Sequence, residues 1–140
     1  MKLRLFVFTI LMLSSYSIFA QDFTIVEDEK HYFFLIPKAF ANRTEVGGEI
    51  AKHNHALYPE ANFAVETVYL PERIVAFQIQ PFASHSAARA YYDLLINTES
   101  DLIADELTEQ FFIISHTNLQ RALRAGTIKE FLAFFRKTYY

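Results

Sequence analysis

Arg73 to Leu95 reads as one strand that passes through a short turn into one amphipathic helix, a unit that restricts the chain to folds in which helices lie on a sheet. Val75, Phe77 and Ile79 alternate with Ile74, Ala76 and Gln78, the period of a strand with two different faces. Pro81 has no N–H to give to a ladder, so the strand is expected to end there, with Phe82 anchoring the chain below the sheet. Ser84 is a good N-cap, and Ala87, Ala88, Tyr91, Leu94 and Leu95 then recur at helical spacing as far as about Asn97.

The flanking sequence supplies a second unit of the same kind. Tyr32 to Ile36 is a continuous apolar run closed by Pro37, the pattern of a strand buried on both faces. Asn42 and Glu45 form a capping pair, after which Val46, Ile50, His53 and Leu57 share one helical stripe. Gly47 and Gly48 weaken that helix by up to ~1 kcal/mol each relative to alanine, which close packing on a sheet, a kink or a late helix start would each explain. Phe63, Val65, Thr67 and Tyr69 alternate with Ala64, Glu66, Val68 and Leu70 as a half-exposed strand. Leu70 to Arg73 is a turn, and the fixed negative φ of Pro71 excludes a two-residue primed hairpin, leaving a bulged or longer connection.

Thr98 to Thr108 is a polar, acidic loop, and Phe111 to Ile114 is a second strand apolar on both faces. Thr117 or Asn118 can cap a short helix that stops at Gly126. Thr127 to Glu130 is a capping box opening a last helix, whose Ile128, Phe131, Leu132 and Phe135 form an apolar stripe. The order is βαββαβ with two helices after it. Such a string predicts an α+β, ferredoxin-like sandwich: a four-stranded antiparallel sheet with extra C-terminal helices. Right-handed crossovers place the first and third strands at its centre. The last strand then lies at an edge while apolar on both sides. The C-terminal helix or a partner protein must cover the face opposite the first two helices.

Residues 1–20 carry a different signal. Lys2 and Arg4 precede an apolar run from Leu5 to Leu13, and Ala20 supplies a small residue at a cleavage position. The run is well short of the ~20 residues that span a bilayer. It predicts a secretory signal peptide, followed by an N-terminal arm or edge strand over 21–30 and a single domain over 31–140. The sequence has no cysteine, so disulfides, thiolate metal sites and a lipid anchor through an N-terminal Cys of the mature chain are excluded. Once Lys2 and Arg4 are removed, eleven basic residues face sixteen acidic ones, for a net charge of −5. With no Lys/Arg run to offset it, that balance disfavours nucleic acids and anionic membranes, and no integral membrane segment is expected after cleavage.

Catalytic constellations are missing from the sequence. His53 and His55 fall on different faces of a helix, with no third ligand nearby, and read as surface or helix-end histidines. His31, His85 and His116 have no partner visible in the chain. Glu99, Asp101, Asp105 and Glu106 lack EF-hand spacing and a turn glycine. There is no Gly-x-Ser-x-Gly, no thiol nucleophile, no His-Glu-x-x-His and, with three glycines, no phosphate-cradling loop. No enzyme, cofactor or metal is expected. Tyr69, Gln78, Tyr92 and Tyr139 are the candidate contacts for a ligand or partner, because aromatics stack on sugars and anchor protein interfaces. Tyr92 sits roughly 100° off the inner stripe, a place where exposure is open to it, and the tail tyrosines are free to fray. Tyr91 faces the core, and core or helix-end filling is the expectation for Tyr91, Tyr92, Tyr139 and Tyr140 alike.

Gln80-Pro81-Phe82-Ala83-Ser84 with Ala87-Ala88 resembles the second half of SPOR domains, βαββαβ modules of bacterial envelopes, although their usual glycine before Pro-Phe is Gln80 here. That resemblance implies peptidoglycan binding on the sheet face away from the helices. Residues 31 to 140 also resemble a domain at the C-terminal end of the tetratricopeptide lipoprotein of Bacteroidetes gliding and type IX secretion. The resemblance rests on His31 to Ile36, on Phe82 to Tyr92 and on Leu132 to Tyr139. It implies a non-enzymatic protein-interaction module with envelope protein partners, located in the periplasm, at the outer membrane or outside the cell.

Overall fold

A computed structural model describes residues 22–98 and 107–139. The expected signal segment and most of the acidic 98–108 loop lie outside the described residues. The chain folds as α+β, with one open sheet of four antiparallel strands and four helices among the described residues. In order they are β1 (His31–Pro37), α1 (Arg43–Leu57), β2 (Ala64–Leu70), β3 (Ile74–Phe82), α2 (His85–Asn97), β4 (Thr108–Ser115), α3 (His116–Ala125) and α4 (Lys129–Tyr139). The strand order is β2-β3-β1-β4, which puts the first and third strands in the middle.

Local chemistry sets most of the boundaries. Asn42 Oδ1 accepts from the N–H groups of Thr44 and Glu45 and starts α1; Ser84 Oγ accepts from Ala87 and starts α2. Gly126, at φ 70°, ends α3 in the left-handed conformation that glycine adopts without a Cβ clash. Two details depart from expectation. β3 continues through Pro81 to Phe82, because the ladder with β1 shifts between His31 and Phe33 and a proline is tolerated at such an irregularity. Ser115, not Thr117 or Asn118, caps α3, so β4 passes directly into the helix with no connecting loop. Of the two readings of the segment before β1, the residues from Asp22 to Lys30 form an arm that adds no strand to the sheet.

The β2–β3 connection is a three-residue turn, Pro71–Arg73, in which Glu72 and Arg73 both hold positive φ, 64° and 62°. Left-handed backbone costs a non-glycine residue about 1 kcal/mol or more. The Lys129–Glu72 ion pair, at 2.8 Å, ties this turn to the start of α4.

Cross-strand register divides the core into two layers. Phe33, Leu35, Phe77, Ile79, Phe111 and Ile113 face one way, towards α1 and α2, where Tyr91 meets Phe33 edge-on at 5.0 Å. Phe34 and Phe112 face the other way, stacked at 5.2 Å, and Phe131 and Phe135 of α4 close over Phe112 at 5.8 and 6.3 Å. Phe33, Phe34 and Phe112 are fully buried, so β1 and β4 are covered on both sides.

The helix glycines differ. A Cβ on Gly47 would meet the Phe77 ring at 3.5 Å, an ordinary contact, whereas one on Gly48 would meet nothing. Gly48→Ala should therefore raise stability by about 0.5–1 kcal/mol in urea denaturation, by restricting the unfolded chain and favouring α1. Phe135→Ala, which empties a buried ring site, should lower it by about 3–5 kcal/mol in the same assay. Near-zero change in either variant would contradict this packing.

Candidate functional site

Where the four candidate contacts fall decides which surface can meet a partner. Tyr69 is 72% exposed on β2. It pairs with Val75, while Gln78 pairs with Glu66 and Phe34, so Tyr69 and Gln78 lie on opposite faces and cannot line one groove. Gln78 is half-buried. Tyr92 is 2% exposed, so it lies in the core and not on a surface that a ligand or partner could reach. It packs edge-on against Phe111 at 5.5 Å, near Phe135 at 6.1 Å and beneath the Arg89 guanidinium at 5.2 Å. The third-layer helix α4 supplies Phe135, so the side of α2 that a lone helix would leave wet is covered. Tyr139 is half-buried rather than frayed: its hydroxyl bonds His85 Nε2 at 2.5 Å and its ring packs on Phe135 at 4.6 Å.

Tyr139 belongs to a polar cluster assembled from distant segments. Glu27 of the arm pairs with His85 Nδ1 at 3.2 Å and accepts hydrogen bonds from the Ser86 N–H and hydroxyl at the first turn of α2. Glu29 does the same for α3, accepting from the Thr117 N–H at 3.0 Å and its hydroxyl at 2.7 Å. Each carboxylate satisfies donors that a helix start leaves unpaired and sits at the positive end of the helix dipole. The two Ser86 hydrogen bonds hold the Glu27 carboxyl below its usual range. Partial burial pushes Glu29 upward, but hydrogen bonds from Ser115 and Thr117 outweigh it and leave a net lowering. His31, buried beside His85 with ring centroids 5.6 Å apart, donates from Nδ1 to the Glu29 carbonyl, and burial depresses its basicity.

A carboxylate, an imidazole and a hydroxyl in a row form a possible proton relay, but the cleft beside them measures only about 10 Å³, room for one water at most. The cluster joins arm, sheet and helix ends. Its partners are 59 and 88 residues apart, and the sequence signal available was limited to two acids at 27 and 29 just before β1.

The two sides of the sheet also differ at its edges. At the β4 side, Thr24, Ile25 and Val26 of the arm line a cleft with Ile113 and Ile114, and Phe23 packs on Phe131 at 5.3 Å. At the opposite side, β2 pairs with β3 alone among the described residues, and Ala64, Glu66, Thr67 and Tyr69 are exposed along it. No group of three metal-ligating side chains occurs among the described residues, and no helix there is long and apolar enough to cross a membrane. Comparison with family models, curated proteins and solved structures found no match.

His53, on the apolar stripe of α1 but expected at the surface or a helix end, is buried against Tyr91 with Nε2 unpaired, and burial alone lowers its pKa below 6.5. The unfolded chain therefore binds this proton more readily than the native one. Stability from His53 is complete above pH 6.5 and is lost as pH falls through the depressed native value. Chemical denaturation at a series of pH values should show a shallower acid decline for His53→Leu than for the natural chain; parallel curves would contradict it.

Proposed function

We propose that the chain is an exported, non-enzymatic protein-interaction module of the bacterial cell envelope, with a ferredoxin-like βαββαβ core. In this reading an extended segment of an envelope protein pairs with the open edge of β2. The observation that carries it is the contrast between the two sides of the sheet. The outer face holds Phe131 and Phe135, and the arm and α4 pack beside β4, while among the described residues β2 keeps an unpaired backbone edge with Tyr69 standing out from it. Unpaired N–H and C=O groups along a strand are a template for one more strand, and an exposed tyrosine beside them anchors the incoming side chains. The resemblance to the gliding and secretion lipoprotein supports a role accessory to such a complex.

Glycan-strand binding in the SPOR manner is the second reading, and the half-buried Gln78 is the feature in its favour. It needs the outer face that α4 occupies at Phe112, and Tyr69 faces the other way. Affinity purification of the tagged protein from envelope extract should recover a specific partner, with recovery reduced about tenfold or more by Thr67→Lys with Tyr69→Lys, since edge lysines block strand addition. Absence of a specific partner, or equal recovery by the variant, would end the β2 reading. Co-sedimentation with denuded sacculi, reduced by Gln78→Ala, would favour the glycan reading instead.

A further inference from the structure

An open cavity of about 710 Å³ lies at the end of the sheet where β1 finishes and β3 and β4 begin. Lys38, Arg43, Arg73, Lys129 and Arg136 line it, against Glu109 as the one acidic lining residue among the described residues. These cations come from the segment after β1, the start of α1, the β2–β3 turn and two turns of α4. None is adjacent to another in sequence, so a charge run could not reveal them. The floor is apolar, made by half-buried Ile36 and Ile74 with buried Leu132.

Three observations set this site apart from a solvated surface. The whole chain is acidic, with a net charge of −3, yet this one concavity gathers cations from four places. Lys129 is paired with Glu72, whereas Arg43, Arg73 and Arg136 have no ion pair among the described residues, so three guanidinium forks are available. Arg73 is also held at positive φ, a strained backbone of the kind found at ligand clamps.

We infer that this cavity binds a phosphate monoester carried on an apolar group. Planar Arg forks match phosphate oxygens bidentately, and a concave wall of one sign strengthens the field on a dianion. The volume falls in the range of small-molecule sites, and Ile36, Ile74 and Leu132 would take the apolar part. No β2 residue lines the cavity, so this site and the proposed partner edge can fail independently.

Isothermal titration calorimetry of the intact protein with hexyl phosphate tests it. Saturable binding is expected, weakening as salt is raised, and tighter than that of inorganic phosphate by about tenfold. Arg73→Gln with Arg136→Gln, both exposed positions, should weaken it about tenfold or more, and Arg124→Gln on α3, outside the cavity, should leave it unchanged. Absence of saturable binding, salt-independent binding, equal affinity for inorganic phosphate, or an undiminished double variant would each overturn the assignment. Pelleting with phosphatidylcholine vesicles containing phosphatidic acid identifies a lipid headgroup as the source of the phosphate. Hexyl phosphate binding without pelleting identifies a soluble ester.

Discussion

The β1–β4 pair is apolar on both faces, and that property forces a third layer. Phe33 and Leu35 are served by α1 and α2, as in any two-layer sandwich. Phe34 and Phe112 on the reverse side would present a stacked aromatic pair to water. Burying a phenylalanine ring contributes about 1.5–3 kcal/mol, so two uncovered rings are a large loss for a domain of marginal stability. The Phe131, Leu132 and Phe135 stripe of α4 is therefore part of the core, and α3 serves to reverse the chain so that α4 can reach it. The same cover removes the β4 side of the outer face from the surfaces open to a ligand, while exposed Glu66 and half-buried Gln78 stay within reach on the β2–β3 side. A binding module on this scaffold has its edges, its ends and that strip to use.

The arm completes the closure with charge as well as with apolar surface. Glu27 and Glu29, two residues apart, serve the starts of two different helices, α2 and α3. Phe23 inserts against Phe131 and Phe134 of α4, and Asn118 donates to the Thr24 carbonyl. Together with the Tyr139–His85 hydrogen bond, these contacts hold both ends of the described chain against the same end of the sheet. Histidines that look isolated along the chain are in this way brought into contact by topology.

Much of the layout was legible because it is written in local chemistry. The Asn42 and Ser84 caps, the Gly126 stop, the alternation from Val65 to Tyr69 and the double-sided apolar run at β1 each act over a few residues. The extra cover over β4 could also be foreseen, since an edge strand with no polar face has to be buried. What could not be read depended on tertiary neighbours. Tyr92 could be read as core or as exposed, because its position on α2 gives no sign of Phe135 arriving from a third layer. His53 falls on the stripe of Val46 and Ile50, yet an imidazole reads as a surface or helix-end group because burial with an unpaired nitrogen is uncommon. Tyr69 and Gln78 looked interchangeable until the ladder assigned them to opposite faces. The cation-lined cavity draws on four separated segments, so composition pointed away from it.

Native-state hydrogen exchange tests most directly whether α4 is core rather than appendage. If the Phe34–Phe112 layer depends on it, amides of α4 should exchange only with those of β1 and β4, at the free energy of global unfolding. If α4 amides exchange through a low-energy local opening while β1 and β4 stay protected, the sheet is stable without its third layer, and the outer face becomes available to a ligand after all.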